Sequence, residues 1–465
     1  MVALQMIIKN KGSSPMRITF EVPETILHQL LDPVPIPQVA RVRNDAPVPS
    51  PIEDISAAVH EQMQLADAQH MFQAGQRIAV GVGSRGIGRL PEIVAALIRE
   101  LRALGTDPFI IPTMGSHGGA TAEGQRDVLT HLGVTPESVG APIESQMETV
   151  EIGRAADGTA VRLDRLALAA DGIVFVARVK PHTAFRGTYE SGLAKMIAIG
   201  LGKQAGAAAC HARGFGEMAR MVPALAEVAL ARAPIRFGLA VLENAHDQPY
   251  KLFVVPANQI MEREPELLEE ARLAMPHIPF SSLDVLVIDE IGKNISGDGA
   301  DPNITGRYPT PFASGGPEVN KQVVLDLSDS SDGNANGVGT ADFTTIRLAH
   351  KMDLGRTYPN ALTSTVPGPV ALPMVLPSDR LAFAAALLTC NAVDREPRLM
   401  RIKNTLQLDE FWVSTGLLGD VSQNPTLHII EGPCPLQFDQ EGNLVDVCSE
   451  TKGTPIAASM NKDAW

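Results

Sequence analysis

Between residues 77 and 273 the chain alternates short apolar runs with segments of helical period, and few folds accommodate that alternation. Residues 77–82, 107–112, 172–179 and 235–242 read as strands. Residues 90–104, 122–132, 221–232 and 262–273 read as helices, and 189–214 as another helix, broken near Gly200 and Gly202. Strands interleaved with helices imply a layered α/β fold with a largely parallel sheet. A second unit begins near Pro279, with strands over 283–289 and 322–327 and helices over 341–351 and 379–388. The expected fold class is α/β, with two domains (1–278 and 279–465), largely parallel sheets and an active-site cleft between them. Residues 32–52, rich in proline and poorly patterned, read as an extended arm or linker.

Composition narrows the function. The formal net charge of −14 disfavours nucleic acid and anionic membrane surfaces as partners. Aromatic residues make up 4% of the chain, too few for a base- or sugar-stacking platform. Cys210, Cys390, Cys434 and Cys448 form no Cys-x-x-Cys pair, which excludes a cysteine-ligated zinc knuckle and suits a reducing compartment. With no secretory signal and no long apolar run, the expectation is a soluble cytoplasmic protein with a small-molecule substrate. A homo-oligomer is compatible with this reading.

Three segments fall at the C-terminal ends of expected strands, where an α/β enzyme places its site. The first, Gly81-Val82-Gly83-Ser84-Arg85-Gly86, formally fits a dinucleotide fingerprint but lacks the acidic residue at the end of the next strand. The alternatives are a purely structural turn, or an anion-binding turn in which Arg85 and backbone amides hold a phosphate or carboxylate. The second is Gly115-Ser116-His117-Gly118-Gly119 and the third Lys180-Pro181-His182-Thr183. An isolated histidine is usually structural. Two at equivalent strand ends, each beside small or turn residues, point to acid–base chemistry.

From Arg178 to Arg213 the chain carries Arg178, Lys180, Arg186, Lys195, Lys203 and Arg213 against a single acid, Glu190. Such a cationic stretch in an acidic chain fits an anionic ligand, or else a solvated basic face. Lys195 stands among small and apolar neighbours, which disfavour its ammonium form and suit a nucleophilic or covalently attached lysine.

Taken in order, Gly115-Ser116-His117, Lys180-Pro181-His182, Glu190–Lys195 and Cys210-His211 resemble the lactate racemase superfamily over roughly 81–214. The resemblance implies a nickel-pincer nucleotide, a pyridinium-derived mononucleotide, attached to Lys195, with His211 as the protein ligand to nickel. It implies His117 and His182 as paired acid–base residues and Ser84 and Arg85 at the cofactor, and cofactor-synthesis enzymes as partners. Arg186 and Lys180 are the candidate holders of the substrate carboxylate. The family's Asp-x-Thr-Arg-Pro segment keeps only its arginine here, and its second-domain cofactor contacts have no obvious counterpart. Lys293 and Asn303 are the nearest substitutes. The implied activity is racemisation or epimerisation of a 2-hydroxy acid by reversible hydride transfer. The alternatives are a cofactor-free binding protein, or an NAD-dependent or hydrolytic enzyme.

Two Gly-rich polar segments, 292–317 and 328–340, follow strands of the second unit and are expected to close over the pocket. Their short polar side chains suit a polyhydroxy or dicarboxylic acid better than lactate's methyl group.

Overall fold

The computed structural model describes residues 22–84 and 86–445. Two principal sheets organise these residues. The first runs Asp107–Pro112, Arg77–Val82, Gly172–Arg178, Ile235–Glu243, Pro249–Pro256. Its first four strands are parallel, and the fifth closes the edge antiparallel. Ile78, Val80 and Val82 pack into the core on one face and Ala79 into the core on the other. A parallel strand covered on both faces is apolar almost throughout, and this one reads that way.

Helix Leu90–Ala103 buries Leu90, Ile93, Val94, Leu97, Ile98 and Leu101, the three- and four-residue spacing of one helical face. It stops at Gly105, whose positive φ of 80° lets the chain turn out of the helix. The region expected as one helix over 189–214 differs. Helix begins only at Leu193–Lys195, passes through a π-helical turn, Met196–Gly200, and resumes at Lys203–His211. Residues 189–192 are pulled away from helix because Ser191 pairs with Lys180 through both backbone groups.

The second sheet has eight strands, in the order Met374–Leu376, Phe343–Thr345, Glu318–Leu327, Ser282–Ile291, Leu399–Ile402, Glu410–Ser414, Val39–Asn44, Leu427–Cys434. The first five are parallel and the last three antiparallel. One correction concerns the presumed arm, because Val39–Asn44 is a half-buried strand paired on both edges. Its two valines, Val39 and Val42, are interrupted by Arg41, followed by Arg43 and surrounded by prolines, so periodicity alone did not expose it. A second correction concerns 341–351, where strand Phe343–Thr345 precedes a shorter helix, Ile346–Lys351. β-Branched Thr344 and Thr345 complete the sheet, and the Thr345 hydroxyl then caps the helix at Leu348 N–H. Cores lie on both faces of this sheet as well. Among the described residues no helix is long and apolar enough to cross a membrane.

Candidate active site

The three adjacent parallel strands Asp107–Pro112, Arg77–Val82 and Gly172–Arg178 end side by side, and their C-terminal turns carry His117, Ser84 and His182. Two glycines of the 81–86 turn serve packing. A Cβ on Gly81 would lie 2.8 Å from Thr113, and one on Gly83 would lie 2.9 Å from the Met196 methyl. The following helix starts only at Leu90, after Arg89 in the left-handed region, so its N-terminus does not open on this turn. These glycines thus have a packing role, and the dinucleotide reading loses its helix dipole. Ser84 hydrogen-bonds through its Oγ to His117 Nδ1. Arg85 lies outside the described residues.

His117 rests on a buried polar post. The Gln125 side-chain amide donates to the carbonyls of Gly115 (2.9 Å) and His117 (3.3 Å). Lys203 Nζ in turn donates to Gln125 Oε1 (3.1 Å) and to Pro112 O (2.6 Å), and pairs with Asp164 at 3.0 Å. Lys203 and Asp164 are fully buried. Burial holds the Lys203 ammonium below its ordinary pKa, with Asp164 working in the opposite direction. Lys203 therefore leaves the presumed ligand-facing cationic cluster and becomes the foundation of the His117 turn. Gly118, at φ 65°, also lies so close to Gly124 that a Cβ would sit 2.5 Å from its carbonyl carbon.

His182 is fixed from two sides. Its backbone N–H donates to Glu190 Oε2 at 2.6 Å, and its Nδ1 accepts from the Ala184 N–H at 3.0 Å. Its ring lies 4.4 Å from that of Phe185 and 6.0 Å from that of Phe215, measured between centroids. Glu190 is fully buried and gathers Arg186 (3.3 Å) and Arg272 (3.2 Å) around its carboxylate. As the single acid in a basic stretch, it was the signal the sequence offered for a structural anchor.

Arg186 and Lys180, expected at the substrate carboxylate, both make contacts to protein partners. Arg186 donates to His182 O (2.6 Å), Ser314 O (2.9 Å) and Tyr308 Oη (2.7 Å), and also to Asn303 Oδ1. Its guanidinium also lies 5.0 Å from the Tyr308 ring centre. Lys180 pairs with buried Asp301 at 2.8 Å. Burial would raise the Asp301 carboxyl, but Lys180 and the Asn303 donors hold it below the usual carboxylate range. These contacts dock residues 301–314 of the second unit onto the His182 turn, and Arg186 N–H to Phe312 O (2.9 Å) extends the seam. Asn303 therefore reaches the site. Asp301, one of the polar residues of the first Gly-rich segment, reaches it as well, and so does Tyr308, which sequence reasoning passed over.

Lys293 is placed at the end of strand Ser282–Ile291, with its Nζ donating to Gly297 O at 2.6 Å. The second Gly-rich segment bonds to the first, Ser328 Oγ to Asn294 (2.7 Å) and Asn336 to Gly297 O (3.0 Å). The first segment thus reaches the His182 side, whereas the second braces the first. Helix Leu354–Ser364 packs against Lys203–His211 and brings a further part of the second unit alongside.

Lys195 and His211 share one neighbourhood. Burial, reinforced by the Lys195 ammonium, pushes His211 down to about 4, so its imidazole is neutral at physiological pH. The Phe215 ring stands 5.6 Å from His211 and 6.0 Å from His182, linking the two histidines through one aromatic cluster. The Lys195 turn is capped from helix Ile260–Ala274, where buried Glu264 accepts the Ala194 N–H at 2.6 Å. Among the described residues no group of three or more His, Cys, Asp or Glu side chains could hold a metal ion. A metal here would have to bring most of its donors with it, leaving one place for a neutral imidazole.

A comparison with curated proteins finds no match. Among solved structures the chain is similar to the lactate racemase apoprotein from Thermoanaerobacterium thermosaccharolyticum, with a TM-score of 0.49 and 12% identity, covering 78% of this chain and 94% of that one. Residues 24–221 match the lactate racemase N-terminal domain family, a span that contains Ser84, His117, His182, Lys195 and His211. Over those residues, less than half of its length, the chain is similar to the lactate racemase N-terminal domain family.

Proposed function

We propose that the protein is an isomerase that inverts the hydroxyl-bearing carbon of a 2-hydroxy acid. The observation that carries this reading is the neighbourhood of Lys195 and a neutral His211, joined through Phe215 to His182. The donor chemistry fits a nickel-pincer nucleotide, because the chain offers one imidazole and no metal cluster of its own among the described residues. Lys195 would hold that group covalently and His211 would complete its metal. When bound, it would supply a hydride acceptor and donor.

The chain's own residues supply the rest. His117 and His182 handle the hydroxyl oxygen and its proton, which a neutral imidazole does well near neutral pH. Gln125 and Lys203 fix the His117 turn, and Glu190 fixes the His182 turn, so neither has to reorganise as charge develops. Arg186 and Lys180 hold the 301–314 segment against the site and so exclude water from it. Asn303 and Tyr308, both bonded to Arg186, make that side of the site polar. They favour a substrate with hydroxyls or a second carboxylate over lactate.

Coexpression with cofactor-synthesis enzymes, followed by nickel analysis, peptide mass mapping and chiral chromatography of a panel of 2-hydroxy acids, tests the proposal. Stoichiometric nickel, an adduct on the Lys195 peptide and interconversion of enantiomers or epimers are expected. Protein that takes up neither nickel nor mass under those conditions would overturn it.

A further inference from the structure

The helical segment that bears Lys195 begins without a cap of its own. It starts at Leu193 and runs into the π-helical turn Met196–Gly200, and the capping position before it is Gly192, which has no side chain to offer. The first amides of such a segment find no acceptor within it and need one from elsewhere. Helix Ile260–Ala274 supplies it, because fully buried Glu264 reaches across and accepts the Ala194 N–H through Oε2 at 2.6 Å. The Leu193 amide acts on the same carboxyl, and both amides favour its charged form against burial. Gly192 is not needed for its backbone freedom, since its φ of 175° is extended and open to any residue. What it provides is room. A Cβ there would stand 2.2 Å from Glu264 Oε1 and 2.8 Å from the carboxyl carbon. Oε1 is buried with no hydrogen-bond partner among the described residues, so the carboxyl is held through its other oxygen and by this close fit.

We propose that Glu264 is a positioning residue for Lys195: it caps the lysine's helix from a distant part of the chain, and position 192 is glycine in order to admit it. A serine or aspartate at 192 would cap the helix locally. The distant carboxyl does more, because it ties the start of that helix to Ile260–Ala274. The same helix holds the preceding residues at two further points. Tyr189 Oη donates to Met261 O at 2.5 Å, and Arg272 donates to Glu190, the anchor of the His182 turn, at 3.2 Å. Met261, Glu264 and Arg272 share one face of the helix. One helix outside both turns therefore sets the separation of Lys195 from His182. The catalytic meaning of that separation rests on the isomerase reading, in which Lys195 holds the cofactor.

The test needs no cofactor and is run at about pH 6, where the Glu264 carboxyl is mostly protonated and comparable with an amide. Glu264→Gln keeps an acceptor for the Ala194 N–H, whereas Glu264→Met keeps the volume and removes the acceptor. Hydrogen exchange resolved at Ala194 by mass spectrometry should quicken about fivefold or more in Glu264→Met and stay near wild type in Glu264→Gln. Trace acetylation of Lys195, measured against exposed Lys403, should rise in Glu264→Met and return to the wild-type ratio in Glu264→Gln. Gly192→Ala should quicken both readouts in the wild-type chain and lose its effect when combined with Glu264→Ala, because the oxygen it would strike is gone. Exchange and acetylation indifferent to Glu264→Met would overturn the proposal. So would a Glu264→Gln that fails to restore them, or a Gly192→Ala effect that simply adds to that of Glu264→Ala. These outcomes leave the isomerase reading untouched, since that reading stands or falls on cofactor uptake and chiral turnover.

Discussion

Replacing Glu264 with glutamine isolates a single buried ionisation beneath the lysine expected to carry the cofactor. Glu264 is fully buried, one oxygen accepts the Ala194 N–H at 2.6 Å, and Oε1 has no hydrogen-bond partner among the described residues. The site is tight, since a Cβ on Gly192 would stand 2.2 Å from that oxygen. Burial raises the carboxyl from 4.5 to about 7, and the Ala194 and Leu193 amides offset only part of the rise. The folded state therefore holds the proton more tightly than the unfolded chain does. Its contribution to stability is complete below about pH 4.5 and is lost as pH rises through about 7. At roughly 1.4 kcal/mol per pH unit, the whole change amounts to about 3 kcal/mol. Glu264→Gln keeps the acceptor for Ala194 and cannot ionise. Urea unfolding of both proteins at several pH values between about 4.5 and 8.5 should give curves that converge at the acidic end. At the alkaline end the variant should be the more stable, by about 3 kcal/mol. Parallel curves would mean that Glu264 ionises as it would in water, and the argument from burial would fail.

Other consequences can be checked separately. Lys203→Met leaves Asp164 buried without its cation and should lower stability by about 3–5 kcal/mol in thermal or denaturant unfolding, with the 115–118 segment gaining hydrogen exchange. Arg186→Ala removes the bonds to Asn303, Tyr308 and Ser314. It should raise exchange in 301–314 selectively and raise KM more than it lowers kcat. Loaded enzyme should prefer polyhydroxy or dicarboxylic 2-hydroxy acids to lactate in a side-by-side chiral assay, and a clear preference for lactate would count against the polar lining. Leu97→Ala, in the fully buried face of helix Leu90–Ala103, should cost about 2–5 kcal/mol in denaturant unfolding.

What the sequence disclosed, and what it hid, follows the range of the interactions. His117 and His182 were visible because the turns that present them are built from neighbouring small residues at strand ends. The four parallel strands of the first sheet were visible because burial on both faces makes each nearly continuous in apolar residues. Lys203, Lys180 and Arg186 looked alike as exposed cations because nothing local identifies their partners. Asp164, Asp301 and Tyr308 stand 39, 121 and 122 positions away, and only the folded chain brings them together. Strands Pro249–Pro256, Glu410–Ser414 and Leu427–Cys434 escaped notice for a related reason. Their antiparallel pairing tolerates one polar face, and Leu427–Cys434 is mostly exposed. The π-helical turn after Lys195 has no sequence signature; it ends at Gly200, where a Cβ would stand 2.9 Å from Thr113 O.

The strand Val39–Asn44 has a consequence for how this chain is made. Among the described strands of its sheet it is synthesised first, yet its neighbours are Glu410–Ser414 and Leu427–Cys434, roughly 370 to 395 residues later. During translation the first sheet, complete by Pro256, can form while Val39–Asn44 waits with both edges unpaired. A fragment cut at Pro279 would accordingly lack an interior strand of its own sheet and leave Leu427–Cys434 without its neighbour. A circular permutant that moves residues 22–46 behind residue 445 would restore local order to that sheet. It should fold faster than the natural arrangement, because loop closure across the intervening sheet is no longer required.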